Sequence, residues 1–320
     1  MGSGLSVNVG VSGLLVAQHL YSRAVPLPIL CRHEHHAVAV IFRVKAEGLR
    51  AVQKVAAPTP PLSSPALVSE ATPHILFDMA TDVPTILATS GGYREHDRLR
   101  FQFAGLLHYA VDLSGASAGV PKVCNVGTAS GDDPRFQMDM SEAGRLAGFN
   151  LTHLSLFSMP NLDDIEGHLM AQDVVWVNGG SVANLLAVWR VHGLDEILRR
   201  VWAAGVVLAG VSAGSICWFD GGTTDSFGPE LQAVTNGLGF LPYGNGVHYD
   251  SEDRRRPLVH RLVADGTLGT THCTDDGVGM LYRGTEFVEA VSEQAGKGAY
   301  IVCREGDSAA EERLETRLLR

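Results

Sequence analysis

From residue 83 onward, short apolar runs alternate with stretches of helical spacing, and this alternation constrains the fold more than any other feature. The apolar runs are typical of buried strands. They lie at residues 83–89, 122–128, 151–156, 173–177 and 205–210. Helical spacing occupies residues 97–113, 136–147, 182–192 and 194–204. Strands that alternate with helices of this length form βαβ units, so we predict an α/β fold. Its sheet should be mostly parallel, with helices on both faces.

The first 80 residues differ in charge from the rest of the chain. They hold six Lys and Arg and four Asp and Glu, out of 25 and 35 in the whole chain. Residues 56–73 are rich in proline and serine and are expected to form an extended linker. We therefore predict a poorly ordered extension over residues 1–80, a folded domain over residues 81–305 and a charged C-terminal tail over residues 306–320.

Composition excludes several classes of protein. The formal net charge of −10 argues against a nucleic-acid-binding surface. No apolar run reaches about 18 residues, so neither a membrane-spanning helix nor a membrane partner is expected. The five cysteines form no C-x-x-C pair, which favours free thiols in a reducing compartment and argues against a zinc site. We expect a cytoplasmic protein without a metal or another cofactor.

The segment GVSAG at residues 210–214 carries the strongest chemical signal. It follows an apolar run and precedes a predicted helix at residues 215–219, which is the setting of a nucleophile elbow. The glycines permit a sharp turn that exposes the Ser212 hydroxyl, and the helix start offers free N–H groups to a negative oxygen. G-x-S-x-G also occurs in ordinary loops, but the flanking strand and helix make Ser212 the candidate nucleophile.

A serine nucleophile needs a base, and the chain offers several histidines. His248 lies in a loop-like segment rich in Gly, Asn and Pro, where the catalytic groups of such folds are usually found. His260 lies within a helical stretch, and His272 lies in a predicted strand. His248 is therefore preferred, with the other two as alternatives.

The carboxylate that would orient this base has three candidates. Asp275 and Asp276 stand at the end of a probable strand at residues 269–273, and Asp225 lies in a Gly- and Thr-rich stretch after the elbow. The residues alone do not decide among them.

A second glycine-rich turn, NGGS at residues 178–181, stands between a predicted strand and a predicted helix. Its N–H groups could complete an oxyanion hole or bind a phosphate. The segment lacks the glycine spacings of known phosphate-binding loops, and an ordinary tight turn would have the same composition.

Four blocks together resemble the dipeptidase E family of serine peptidases, of which the cyanophycinases are close relatives. The blocks are VNGG at residues 177–180, GVSAG at 210–214 followed by CWF at 217–219, HYD at 248–250 and DDG at 275–277. The resemblance covers residues 83–303. It implies one α/β domain similar to class I glutamine amidotransferases, with the nucleophile elbow after a central strand.

The resemblance also implies a role for each member of the triad. It places the nucleophile at Ser212, the histidine at His248 and the acid at Asp276, with Asp275 and Asp225 as alternatives. The residue before the histidine is valine here, where the family usually has proline.

The remaining implied roles concern the oxyanion and the substrate. The oxyanion donors are the backbone N–H groups of Gly180 and Ala213. Arg254, Arg255 and Arg256 lie near the place of an arginine that binds the substrate carboxylate in dipeptidase E, although a solvated helix start would also explain them.

These expectations define a function. We predict a serine peptidase that hydrolyses small peptides, with Asp-X dipeptides as candidate substrates, through an acyl-enzyme on Ser212. The alternatives are a cyanophycinase-like peptidase, an esterase or other non-peptidase acyl hydrolase, and a non-catalytic binding domain.

Overall fold

The computed structural model describes residues 83–116 and 119–320. The predicted extension over residues 1–80 and its linker lie outside the described residues. The described residues belong to one structural unit, Ser69–Arg320.

The described residues form sixteen strands and seven α-helices. The strands are β1 (Thr85–Thr89), β2 (Tyr93–Arg94), β3 (Gln102–Phe103), β4 (Lys122–Val126), β5 (Asn150–Leu154), β6 (Val174–Val177), β7 (Val207–Val211), β8 (Phe219–Thr224), β9 (Gln232–Val234), β10 (Leu241–Gly246), β11 (Thr271–Thr274), β12 (Val278–Arg283), β13 (Glu286–Ser292), β14 (Ala299–Glu305), β15 (Ser308–Leu314) and β16 (Thr316–Leu318). The helices are α1 (Gly105–Leu113), α2 (Pro134–Ala147), α3 (Ile165–Met170), α4 (Val182–His192), α5 (Leu194–Ala203), α6 (Ala213–Ile216) and α7 (Arg255–Ala264).

The larger sheet has eight strands in the order β5-β4-β6-β7-β1-β12-β13-β16. The strands from β5 to β1 are all parallel. β12 is antiparallel to β1 and β13, and β16 is parallel to β13. The α/β fold with a mostly parallel sheet is therefore confirmed, and β7, which leads into the predicted elbow, lies inside it.

Alternate residues of the central strands enter two hydrophobic clusters. Leu208 and Val175 join a cluster that includes residues of α4 and α5. Val207 and Trp176 join a second cluster with residues of α1 and α2. Because successive side chains of a strand point to opposite faces, helices cover both faces of the sheet.

A second sheet of six strands, in the order β9-β8-β10-β11-β14-β15, was not predicted. β8, β10 and β11 are parallel, and the outer strands are antiparallel to their neighbours. The predicted helix at residues 215–219 is wrong, because α6 ends at Ile216 and Phe219 begins β8. The chain then crosses between the two sheets again from β11 to β12 and from β13 to β14.

The charged segment after Gly306 is part of both sheets. Residues Ser308–Leu314 pair along the whole of β14, and Thr316–Leu318 pairs with β13. Half-buried and exposed residues alternate from Ser308 to Glu312 of β15, as expected of an edge strand with one covered face. The predicted boundary at residue 305 is therefore wrong.

Three composition-based expectations concern features of the described part of the chain. Cys124, Cys217 and Cys273 are buried free thiols. Within residues 83–116 and 119–320, no helix is long and apolar enough to cross a membrane. The same ranges contain no cluster of three or more His, Cys, Asp or Glu residues suited to a metal ion.

Candidate active site

Ser212 occupies a strained turn between β7 and α6. Its backbone has φ 57° and ψ −115°, a conformation that costs a non-glycine residue about 1–3 kcal/mol. The Ser212 N–H donates to the carbonyl oxygen of Thr89 at 3.1 Å, which attaches the turn to the end of β1. The residue is half-buried. Strain of this kind persists where the surrounding structure enforces it, and it is common at catalytic residues.

Gly210 and Gly214 make this turn possible by close backbone packing. A Cβ atom on Gly210 would lie 2.4 Å from the carbonyl oxygen of Gly214, and one on Gly214 would lie 2.2 Å from that of Val177. No side chain fits at either position. Both glycines of the motif are therefore required by contacts within the larger sheet.

We expect Gly214→Ala to lower the free energy of unfolding by about 3 kcal/mol, because its methyl group would overlap the β6 backbone. Urea unfolding measures this change. Gly269→Ala is the matched control, since no atom lies within 4 Å of its added methyl position. Equal stability of the two variants would contradict the packing argument.

His248 follows β10 and also has a positive φ, of 50°. Its backbone N–H donates to Ser90 Oγ at 3.1 Å. Its Nδ1 lies 2.5 Å from Asp276 Oδ1. The side chain of His248 is 27% exposed and that of Asp276 is 38% exposed, so the pair lies at the protein surface rather than in the core.

Thr89 and Ser90, at the end of β1, bind both of these turns. Thr89 accepts from the Ser212 N–H, and Ser90 accepts from the His248 N–H. The Ser90 carbonyl also accepts from the Gly277 N–H at 2.9 Å, next to Asp276. Two consecutive residues thus bring the three predicted triad members to one region. No local motif in the sequence marks this role, because these hydrogen bonds join residues more than about 100 positions apart along the chain.

The structure separates the three carboxylate candidates. Among the described residues, Asp276 is the carboxylate that hydrogen-bonds the His248 side chain. Asp275 is 4% exposed and accepts from the Gly298 N–H at 2.8 Å, and burial raises its pKa. Asp225 is exposed and borders an open cavity of about 540 Å³. Neither alternative is placed to orient the imidazole.

The two alternative histidines have other partners. His260 Nε2 lies 3.0 Å from Glu311 Oε2, which links α7 to β15. His272 is 3% exposed, and its Nδ1 lies 2.7 Å from the Tyr282 hydroxyl. Burial lowers the pKa of His272 to about 4, which keeps the ring neutral at neutral pH.

The glycine-rich turn after β6 lies directly beside the nucleophile. A Cβ atom on Gly179 would be 3.2 Å from Ser212 Cβ. Gly180 has φ 137°, and a Cβ there would lie 2.3 Å from the Ala129 carbonyl oxygen, so the Gly180 position requires glycine. Ala213 is the first residue of α6, so its N–H has no partner within the helix. The N–H groups of Gly180 and Ala213 are the two that the family resemblance assigns to the oxyanion.

Two of the three adjacent arginines are structural. Arg255 is 2% exposed, donates to Thr223 and lies 2.7 Å from Glu252 Oε2. The prediction that Arg255 contacts substrate is therefore wrong, because the side chain is inside the protein. Arg256 lies over the rings of Tyr249 and Tyr300, with centroids at 4.5 and 4.7 Å, and its Nη1 lies 3.1 Å from Glu311 Oε1.

Arg254 is the exposed member of the group. Its Nη1 lies 2.6 Å from Glu230 Oε2, and its side chain is 60% exposed. It borders the same cavity as Asp225, together with Glu252 and Asp253. Of the three arginines, Arg254 has the most exposed side chain.

Comparison with known proteins identifies the family. The model of peptidase family S51 matches residues 86–290, which include the elbow, His248 and Asp276. The chain belongs to peptidase family S51, the dipeptidase E family. This S51 protein is a serine-type peptidase. Family membership favours a peptidase over the esterase and the non-catalytic domain.

Two relatives illustrate the range of similarity to this S51 peptidase. It is 39% identical over 199 residues to Uncharacterized peptidase YgaJ of Bacillus subtilis (strain 168), covering 62% of this chain and 85% of YgaJ. It also resembles the crystal structure of a peptidase from an acI-B1 Actinobacterium, with a TM-score of 0.55 and 16% identity. That match covers 74% of this chain and 96% of the other, and it shows a shared fold.

Proposed function

We propose that this S51 peptidase hydrolyses small peptides through an acyl-enzyme on Ser212. The observation that carries the proposal is the 2.5 Å contact between His248 Nδ1 and Asp276 Oδ1. A carboxylate at Nδ1 holds the proton on that nitrogen, which leaves Nε2 free to act as the base. Two hydrogen bonds to consecutive residues support the proposal: the Ser212 N–H donates to the Thr89 carbonyl oxygen, and the His248 N–H donates to Ser90 Oγ.

In the first half of the reaction, His248 Nε2 takes the proton of the Ser212 hydroxyl as Oγ attacks the peptide carbonyl carbon. The carbonyl electron pair moves to its oxygen, which accepts hydrogen bonds from the N–H groups of Gly180 and Ala213. When the tetrahedral intermediate collapses, the C–N bond breaks and the leaving amine takes the proton from His248. Asp276 stabilises the imidazolium while it carries that proton.

In the second half, water replaces the amine. His248 removes a proton from the water while the water oxygen attacks the ester carbonyl carbon of the acyl-enzyme. The ester C–O bond breaks, Ser212 Oγ takes the proton back from His248, and the carboxylic acid product leaves. No cofactor takes part in this mechanism.

The proposal for the substrate is small peptides, with Asp-X dipeptides as one case to test. Arg254 could bind an acidic side chain, but it is already paired with Glu230. The cavity that it borders also contains Asp225, Glu252 and Asp253, so an acidic substrate would meet more negative than positive charge there. The cytoplasmic location and the absence of nucleic-acid and membrane partners stay predictions.

A comparison of Asp-Leu with Leu-Leu tests the substrate proposal. We expect the protein to release leucine from small peptides, measured by chromatography of the products. If Arg254 binds the side-chain carboxylate of the substrate aspartate, Arg254→Ala should lower kcat/KM for Asp-Leu by about tenfold, because one charge-assisted hydrogen bond is lost. The kcat/KM for Leu-Leu, which lacks this carboxylate, should stay unchanged. Equal losses on both dipeptides would remove Arg254 from substrate recognition.

A further inference from the structure

An ion pair lies behind the His248–Asp276 contact. Lys297 Nζ pairs with Asp250 Oδ2. The other oxygen of the same carboxylate, Asp250 Oδ1, accepts from the Asp276 N–H at 2.9 Å. Both oxygens of Asp250 are therefore in use, one on the lysine and one on the backbone of the residue that holds the imidazole. The result is a continuous series of contacts from Lys297 to His248.

The chain path explains why these residues meet. Asp276 lies where the chain crosses from β11 to β12, and Lys297 lies where it crosses from β13 to β14. The two crossings are joined by hydrogen bonds from the Asp275 N–H to the Gly298 carbonyl at 3.0 Å and from the Gly298 N–H to Asp275 Oδ2 at 2.8 Å. Lys297 lies beyond residue 290, where the match to the family model ends.

We propose that Lys297 is a positioning residue for the triad, which holds the Asp276 turn through Asp250 and offsets the negative charge around His248. This inference rests on the proposed function, since it concerns the same histidine. It adds to that site a residue from a segment outside the region matched by the family model.

The charges around His248 favour this role. The carboxylates that face this region are Asp276, Asp250 and Asp275. Lys297 contacts Asp250 and interacts electrostatically with the other two. Arg256 acts on Asp275 from α7. Burial on its own would raise the pKa of Asp250, but Lys297 and the Asp276 N–H hold that pKa below its ordinary value. The hydrogen bond to Asp250 in turn raises the pKa of Lys297. The ion pair therefore stays charged throughout the range in which histidine titrates.

The sign of the effect follows from electrostatics. Without Lys297, protonated His248 would face the carboxylates with less opposing positive charge, so the imidazolium would be more stable. Labelling of Ser212 needs the neutral imidazole as its base. The acid limb of a pH profile for that reaction should therefore move to higher pH in Lys297→Met, by about half a unit.

The experiment measures the rate constant for labelling of Ser212 by a fluorophosphonate as a function of pH, which requires no knowledge of the substrate. The variants are Lys297→Met, Lys297→Arg and Lys122→Met. Lys122 is an exposed lysine at the opposite end of a strand of the larger sheet and serves as the matched control. We expect the acid limb to move to higher pH in Lys297→Met. Lys297→Arg, which keeps the positive charge, and Lys122→Met should both have the native profile.

Asp250→Asn gives a second and opposite readout. It removes a carboxylate but keeps an oxygen that can accept from the Asp276 N–H, so the acid limb should move to lower pH. Unshifted limbs in Lys297→Met and Asp250→Asn would overturn the inference, as would a slower reaction in Lys297→Met without a shift, because a purely structural role gives that result. Failure of the native protein to label at Ser212 would overturn the proposed function and this inference together.

Discussion

Ser212→Ala is expected to lower kcat/KM for peptide hydrolysis by about five orders of magnitude. Loss of the hydroxyl removes the nucleophile, and the oxyanion donors and the substrate contacts can supply only the remaining acceleration. Stability should change by about 1 kcal/mol or less, because no packed group is lost. Product chromatography with the best dipeptide measures the first effect, and urea unfolding measures the second.

Ser215→Ala is the matched control for this experiment. Ser215 lies in the same short helix, and its buried hydroxyl donates to Asn245 Oδ1 at 3.0 Å. We expect this variant to lose about 1–3 kcal/mol of stability and to keep its activity. If Ser212→Ala kept a tenth of the native activity, another residue would have to be the nucleophile.

Asp276→Asn should lower kcat by about 10⁴-fold. The amide can donate to Nδ1 from its NH₂ group, which favours the tautomer with the proton on Nε2, and that tautomer cannot take the proton from Ser212. The side chain is 38% exposed, so we expect the fold to tolerate the change. Steady-state hydrolysis of the same dipeptide measures the loss.

Asp225→Asn and Asp275→Asn distinguish the three carboxylates. Asp225→Asn should keep native activity, because Asp225 lies at the exposed cavity and has no hydrogen bond to His248 among the described residues. Asp275→Asn should lower stability through its buried contacts with Gly298 and Tyr300. An inactive Asp225→Asn beside an active Asp276→Asn would transfer the role of the acid to Asp225.

The parallel half of the larger sheet could be predicted because its strands and helices have local signals. Continuous apolar runs mark β6 and β7, and α4 covers the predicted residues 182–192. In the second sheet, β11 (Thr271–Thr274) was expected as a strand at residues 269–273, whereas other strands lack such a signal. Its strands β8 and β10 have the sequences FDGGTT and LPYGNG, which lack alternation, and their glycines permit close approach between neighbouring backbones.

The site was predictable to the extent that it depends on neighbouring residues. Ser212 could be found because the elbow is a local motif with its own strand and helix start. The choice of Asp276 over Asp225 depends on how the chain crosses between two sheets, which spacing along the sequence does not specify. The burial of Arg255 is equally hidden, because three adjacent arginines are more often exposed than inside a protein.

Ser212 follows a strand of the larger sheet, whereas His248 follows a strand of the second sheet. The nucleophile and the base therefore belong to different sheets, and hydrogen bonds to Thr89 and Ser90 connect the two turns that carry them. A displacement of about 1 Å between the two sheets would separate Ser212 from His248, although each sheet would keep its internal hydrogen bonds. Peptidase activity therefore depends on the relative position of the two sheets. Mild denaturant should abolish this activity before either sheet unfolds.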